Sequence, residues 1–464
     1  MPLMLLCFAL LFTVLPAPAM SAARDEGTLL FAYEMARTHD AAYAAAQLDS
    51  DVGRERYVQG RSRLLPEISL DTQLARTETE YKVVGGQLDR RGNNQSFGIQ
   101  LVQPVFRWQS WIAYEQGDRQ RILSEIKVSI ASQDLRLRVV EAYLDFLTSM
   151  ETLRALDELK VSSRQQLASA KRGYELGDAS IVDVQEAQSG LDQANASFIK
   201  ARSTMDIARA RIEKITGRPL YGARLPARPV ELELHRLGDI RDWIKMAQVG
   251  NLTVQQKEVL LSIAAGEVQS RRAEGLPVVD LVMSRSMQQS PSASTERSDA
   301  SSIGLRLSMA ISSGGRTSSS VREAKALHAQ SEYELEDNRQ AAALEVREHW
   351  LGVTDGAALV KALESSERSA SSAVKSNMLG FTLGARSGMD VLEAQTNLAD
   401  VRGQLSKARY ETLLSYIRLK SSVGGLSDED VVWLDDLLSD ATVSSDPRGM
   451  SPTLAHGRST PPTP

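Results

Sequence analysis

Two stretches decide the fold: residues 173–191, GYELGDASIVDVQEAQSGL, and residues 380–398, GFTLGARSGMDVLEAQTNL. They align without a gap, and the alignment continues to Gly217 and Gly424 at one constant offset, 380 minus 173, or 207 positions. About a third of the aligned residues are identical, among them Gly177 with Gly384, Asp183 with Asp390, Glu186 with Glu393, and Lys200-Ala201-Arg202 with Lys407-Ala408-Arg409. Upstream the correspondence loosens but persists, Leu65-Pro66 matching Leu276-Pro277 and Ser96-Phe97-Gly98 matching Ser302-Ile303-Gly304. The chain reads as a tandem duplication, with one unit over 24–220 and the second over 221–440.

Proline marks where helices cannot run. None lies between Pro104 and Pro219 or between Pro291 and Pro447, so each unit has room for very long helices, expected over about 107–173, 179–216, 316–380 and 386–423. The returning helix of the first unit carries Val184, Ala187, Leu191, Ala194, Phe198, Ala201, Met205, Ala208, Ile212 and Ile215 at alternating steps of three and four. That is the seam of a coiled coil. Val391, Ala394, Leu398, Val401, Leu405, Ala408, Thr412, Ser415 and Leu419 repeat it in the second unit. Paired antiparallel helices of this length make rods.

Four shorter runs alternate with period two. Ile68, Leu70, Thr72 and Leu74 are separated by Ser69, Asp71 and Gln73, and Phe97, Ile99 and Leu101 by Gly98 and Gln100. In the second unit Val279, Leu281 and Met283 alternate with Asp280, and Ile303, Leu305, Leu307, Met309 and Ile311 with Gly304, Arg306 and Ser308. These runs predict strands at about 67–76, 96–105, 278–287 and 302–311, each about ten residues long with one apolar face, the length and period of a membrane strand. A half-buried soluble hairpin gives the same pattern. Polar loops around Gly85-Gly86 to Asn93-Asn94 and around Ser290 to Ser301 would join each pair. Four strands cannot close a barrel, and open edges are not tolerated in lipid, so three protomers supplying twelve strands are the simplest closure.

The remainder bounds the class. The 464 residues are 42% hydrophobic but only 5% aromatic, a balance suited to long helices. A net charge of −5 leaves no basic footprint for nucleic acid. Residues 1–23 resemble a secretory signal: an apolar run from Pro2 to Val14, then Pro16, Pro18 and small residues to Ala23. The n-region lacks Lys and Arg. The only cysteine, Cys7, lies inside that run, and Leu5 and Leu6 before it do not suit lipidation, so the mature chain should be thiol-free. No later apolar stretch approaches 18 residues, hence no transmembrane helix is expected. His39, His235, His328, His349 and His456 are scattered without metal-ligand spacing, and no phosphate loop or nucleophile elbow occurs. No enzyme activity, catalytic residue, metal or cofactor is expected. Residues 441–464, rich in Ser, Pro, Thr and Gly, read as a disordered tail.

The LLPEISL and VQPVF segments, Gly314-Gly315-Arg316 before a long helix, and above all the run from GARSGMDVLEAQTNL to KARYETLLSYIRLKSSVGGLSDEDV resemble the TolC family of outer-membrane factors, with coverage from about Leu29 to Leu438. The resemblance implies a mainly α fold with a small β part, in which long antiparallel helical hairpins form an α-barrel beneath four membrane strands per protomer. It implies a homotrimer with a twelve-stranded β-barrel in outer-membrane lipid. The segments near Arg218 to Asp242 and Leu426 to Leu438 would form a belt around the tunnel. It also implies a passive conduit served by a periplasmic adaptor and an inner-membrane transporter of the ABC, RND or MFS type, for protein secretion or drug efflux. By the same resemblance Leu176-Gly177 and Leu383-Gly384 are tip turns that meet the adaptor, and Asp390 and Glu393 line the pore constriction. Arg386 belongs to a network that closes the tip, Phe381 stands where relatives often have a tyrosine, and Asp183 is a partner for Arg386 by symmetry. A rival reading, a periplasmic coiled-coil adaptor or structural rod, accounts for the helices but has no need of four lipid-length strands.

Overall fold

The computed structural model describes residues 27–84, 86–220, 223, 225, 226, 237–289 and 297–439. The signal segment with Cys7, Gly85, most of the 290–301 loop, much of the first belt segment and the tail lie outside them. In chain order come α1 (Leu29–His39), α2 (Ala41–Ser62), β1 (Glu67–Val83), β2 (Gly86–Phe106), α3 (Trp108–Leu176) and α4 (Ile181–Thr216). Then follow α5 (Ile240–Gly250), α6 (Leu252–Ala273), β3 (Val278–Gln289), β4 (Arg297–Ser308), α7 (Arg316–Thr382), α8 (Gly388–Ser422) and α9 (Asp428–Leu438). The order helix, two strands, long helix, shorter helix thus occurs twice.

The 69 residues of α3 run for about 100 Å at 1.5 Å per residue. Along the first half of α3 lie α2 and α6, and along the second half lie α4 and α8, while α6 and α8 likewise line α7. The upper contact between α2 and α3 is glycine-mediated. A Cβ on Gly60 would meet the Ala113 carbonyl oxygen at 2.8 Å, and one on Gly117 the Arg56 carbonyl oxygen at 2.9 Å. Only hydrogen at these positions lets the backbones approach so closely.

A core surrounds the middle of the rods. Leu29, Tyr33 and Ala36 of α1 and Val431, Leu434 and Leu438 of α9 pack on Leu135 to Leu147 of α3 and on Leu413, Leu414 and Ile417 of α8. Polar ties hold this belt in register. Arg138 clasps Asp40 through two bonds of 2.9 and 3.1 Å, Tyr33 donates to Asp428 at 2.7 Å, and Arg136 reaches the same carboxylate at 2.6 Å. The Asp428 and Asp40 carboxyls are held below their ordinary range, Asp40 chiefly by the hydrogen bond from Arg138 and Asp428 by those from Tyr33 and Arg136 against the opposing effect of burial. The second lobe packs Leu237, Ala247 and Val254 on Leu335, Val346 and Val353 of α7 and Leu419 of α8.

The strands form one antiparallel sheet in the order β1-β2-β3-β4, leaving β1 and β4 as edges. Its register sorts residues by polarity. Ile68, Leu101, Met283 and Ile303 form one row across all four strands, and the adjacent row is Ser69, Gln100, Ser284 and Ser302. Because successive residues point to opposite faces, one face is apolar and largely exposed, with Ile68 at 69% and Ile303 at 69%. On the other face the hydroxyls of Ser284 and Ser302 meet at 2.8 Å. No described helix is long and apolar enough to cross a membrane.

Several boundaries differ from expectation. At 17 and 21 residues, β1 and β2 outrun the expected ten, because pairing continues through Arg76–Val83 and Gly86–Asn93, where charged residues alternate with Thr77, Thr79, Tyr81 and Val83 in β1 and no period marks β2. The fourth strand ends at Ser308, not near 311. Ser308 already pairs with Val278, the first residue of β3, and Pro277 before it has no N–H to extend the ladder. The helices expected at 179 and 386 start at Ile181 and Gly388, since Ser180 and Ser387 are caps, described next.

Candidate functional site

Both quoted repeats fold into the same reversal. Helix α3 ends at Gly177, whose φ of 83° is left-handed, and the Asp178 amide closes on the Gly173 carbonyl at 2.8 Å. In the second unit Gly384 has φ 70°, and the Ala385 amide closes on the Gly380 carbonyl at 2.8 Å. Glycine enters this conformation without the Cβ penalty other residues bear. The glycine that opens each repeat serves a different need. A Cβ on Gly380 would meet Arg386 Cγ at 2.7 Å, and one on Gly173 would meet Ala179 Cβ at 3.1 Å. The residue returning after the turn occupies that space.

Three residues beyond each turn begins a reciprocal cap. Ser180 Oγ accepts from the Asp183 amide at 3.2 Å, and Asp183 Oδ2 accepts from the Ser180 amide at 2.7 Å. Ser387 and Asp390 repeat this at 3.2 and 2.8 Å, and the Ser387 hydroxyl adds a bond to Asp390 at 2.9 Å. Each box satisfies amides that a helix start otherwise leaves unbonded. These bonds, from Ser180 and Ser387 respectively, lower the carboxyls of Asp183 and Asp390, and Arg386 adds a smaller attraction at Asp390.

The two turns meet at one end of the molecule. A cavity of about 360 Å³ between them is lined by Gln166, Asp183, Glu186, Phe381, Arg386 and Ser387, with others. Gln166, on α3, donates its side-chain amide to the Gly388 carbonyl and so ties the first unit to the second. Leu176 and Leu383 project at 78% and 74% exposure, side chains of a size that ordinarily seeks cover. Glu393 is exposed on α8, one turn beyond Asp390, and forms no bond among the described residues.

Arg386 and Asp183 line the same cavity, but the ion pair of Arg386 is with Asp390 at 3.7 Å, and both bonds of Asp183 go to Ser180. Ser180, Ser387 and Gln166 were not anticipated as site residues. The serines were discoverable from the S-x-x-D spacing in SIVD and SGMD, whereas no local pattern announces a glutamine that reaches a distant helix.

Above this end, α8 is bound to both long helices by charge. Arg402 contacts Glu158 of α3 at 2.9 Å and Glu367 of α7 at 3.2 Å. Arg409 meets Glu364 at 2.8 Å, and Arg418 meets Glu141 at 2.8 Å. Tyr410 donates to Glu151 at 2.9 Å, and burial, with the Glu151 charge beside it, pushes its phenol far above the usual range.

Residues 32–218 and 243–425 match the profile of a family described as outer membrane efflux protein. The chain belongs to that family. Its similarity to the alkaline protease secretion protein AprF of Pseudomonas aeruginosa is 28% identity over 87% of this chain and 85% of the relative. To the proteases secretion protein PrtF of Dickeya chrysanthemi it is 28% identical over 92% of this chain and 94% of the relative. Among solved structures, the CmeC outer membrane channel of Campylobacter jejuni superposes with a TM-score of 0.74 at 15% identity, covering 89% and 90% of the two chains. As an outer membrane efflux protein this chain is a TolC-like export channel of the outer membrane with a periplasmic tunnel.

Proposed function

We propose that three copies close a twelve-stranded barrel and a helical tunnel that passively carries cargo outward from an inner-membrane transporter and a periplasmic adaptor. The observation that carries this reading is the sheet. It has an apolar row beside a polar row across four strands, and two edges left open in the single chain. Backbone groups on an open edge cannot be left unbonded in hydrocarbon, and threefold closure bonds every edge. The similarity to two relatives named for protease secretion favours a protein cargo handed over by an ABC-type transporter; RND and MFS transporters would carry the efflux role. In this reading Leu176-Gly177 and Leu383-Gly384 receive the adaptor.

The tip cavity is the gate. Three copies of Asp390 and Glu393 would set six carboxylates around the narrowest point, attracting cations and keeping it wet. Arg386, Phe381 and Asp183 would meet neighbouring protomers there. Phe381 has no hydroxyl to give, so closure relies on Arg386. The test is single-channel recording in planar bilayers with protein extracted as heat-modifiable trimers from the outer membrane. The variant carrying Asp390→Ala and Glu393→Ala should lose cation block and much of its cation selectivity. Unchanged block and selectivity would remove the ring from the proposal.

A further inference from the structure

Below the sheet, α2 and α3 carry a patch that the export reading leaves unused. The contact of Gly60 and Gly117 presses α2 so closely on α3 that a Cβ on Gly117 would lie 3.2 Å from the Tyr57 Cα, and one on Gly60 3.3 Å from the Tyr114 Cα. Tyr57 and Arg61, one helical turn apart, therefore stand over Tyr114. The two tyrosine rings are 5.6 Å apart at their centroids, their hydroxyls meet at 3.2 Å, and the Trp111 ring, tilted by 53°, has its centroid 6.1 Å from that of Tyr114. The Arg61 guanidinium is near enough to act on the Tyr114 phenol electrostatically.

Charge and placement together single out Arg61. Arg54 is paired with Asp51 at 2.9 Å, Arg119 with Glu115 at 3.6 Å and Arg121 with Asp118 at 3.0 Å, Arg56 bonds Gln120 at 2.8 Å, and Arg63, also without an acidic partner among the described residues, is not one helical turn from Tyr57 as Arg61 is. Arg61 is exposed and has no acidic partner among the described residues, so its donors face outward unspent. Depth singles it out again. β1 starts at Glu67, six positions on, and α3 starts at Trp108 immediately below the end of β2. At 1.5 Å per helical residue Arg61 lies roughly 6 Å beneath Leu65, the first exposed apolar side chain toward the sheet, and so within the roughly 5–8 Å of headgroup layer on that side of the hydrocarbon. Trp108 and Trp111 are 46% and 49% exposed, and Leu65, Val105 and Phe106, next toward the sheet, are 49%, 60% and 48% exposed. Amphipathic rings at the interface with apolar side chains above them fit a lipid standing on end.

We propose that Arg61, Tyr57, Tyr114 and Trp111 bind the anionic headgroup of a phospholipid in the periplasmic leaflet of the outer membrane. The guanidinium takes the phosphate through charge-assisted bonds, a tyrosine hydroxyl donates to a phosphate or glycerol oxygen, and the acyl chain runs up over Leu65, Val105 and Phe106. A zwitterionic headgroup brings an ammonium into the field of Arg61 and binds less well. The assignment rests on the outer-membrane placement of the channel, not on its cargo or gate.

Full-length protein, delipidated in detergent and titrated with phosphatidylglycerol or phosphatidylethanolamine, should retain the former preferentially by native mass spectrometry. Arg61→Gln should cut phosphatidylglycerol retention about fivefold, the contribution of one cation near an anionic surface, and leave phosphatidylethanolamine unchanged. Arg61→Lys should restore most of the loss. Equal retention by wild type and Arg61→Gln, or equal retention of the two lipids by wild type, overturns the site. Conductance of the same samples is read separately: a wild type that does not conduct counts against the channel reading, whereas a conducting Arg61→Gln with undiminished lipid counts against this site alone.

Discussion

Helices α4 and α8 align in sequence without a gap, start with the same cap and run antiparallel to a long partner, yet they live in different surroundings. α4 buries Ala187, Ala194, Ala201, Ala208, Ile212 and Thr216, mostly a stripe of alanines seven residues apart. α8 buries thirteen residues, among them Val391, Val401, Leu405, Leu413, Ile417 and Leu419, because it packs on α3 as well as α7. Local sequence therefore dictates the turn and the cap, and topology decides how much of each helix is covered. What α4 leaves bare, Ile181, Val182, Ile199 and Ile207 at 51% to 67% exposure, is the surface that a neighbouring protomer would cover in the proposed trimer.

Truncation separates the two helices most strongly. Ile417→Ala in α8 removes a side chain only 1% exposed and should cost about 2–5 kcal/mol of protomer stability. Ile199→Ala in α4, at 67% exposure, should stay within about 0.5 kcal/mol in the single chain while weakening the trimer. Denaturant melts of the isolated protomer against the temperature at which trimers dissociate on gels check this. If both variants lower protomer stability alike, α4 and α8 do not differ in the way their burial says.

The sequence told more about one kind of feature than another. The seam of α4 was legible in its small residues, since a helix buries positions fixed by its own period: the predicted Ala187, Ala194, Ala201, Ala208 and Ile212 are buried, while the predicted Val184, Leu191, Phe198, Met205 and Ile215 are half-buried. The strand cores were legible where one face is apolar. Their upper ends were not legible as strand: Arg76, Glu78, Glu80 and Lys82 alternate with Thr77, Thr79, Tyr81 and Val83, a period of two without a strongly apolar face, and Gly86–Asn93 carries no period. The separate helices α2 and α6 were unmarked as well, because they earn their place by stacking above α4 and α8 along a shared partner, a tertiary fact. At the tip the reversals and the aspartates were legible from the aligned repeats. The ion pair of Arg386 within the chain was not, because it is with Asp390, four residues on at the start of its own helix, and symmetry between repeats points to the other aspartate.

A second, smaller difference lies in how each start is secured. Removing the cap hydroxyl by Ser180→Ala or Ser387→Ala should cost about 1 kcal/mol of local helix stability, yet the two should not fray alike. The first turn of α8 keeps the bond from Gln166 to the Gly388 carbonyl, and no described bond from another helix reaches Ile181 at the matching place. Hydrogen exchange of residues 181–185 should rise more in Ser180→Ala than that of 388–392 in Ser387→Ala. Adding Gln166→Ala to Ser387→Ala should erase the difference, and equal fraying without that change would show that Gln166 carries none of the load.

Acidification offers the finest distinction. Asp183 and Asp390 have carboxyls lowered from an ordinary value of 3.8 by bonds from Ser180 and Ser387. A depressed carboxyl stabilises the folded form fully above its unfolded value, and that contribution is lost as the pH falls through the lower folded value. Both caps should therefore hold at neutral pH and loosen only below 3.8. Asp390 has one further source of attraction, the guanidinium of Arg386 at 3.7 Å, and both groups are exposed enough for solvent to screen it. Exchange protection, corrected for intrinsic rates, should therefore fail first at 181–185 and slightly later in the titration at 388–392. Arg386→Gln should bring the two transitions together, and raising the salt should do the same without any substitution, since screening removes the pair and leaves the capping bonds. Transitions that stay apart in Arg386→Gln would mean that the difference between the two starts arises from packing around α8 and not from charge.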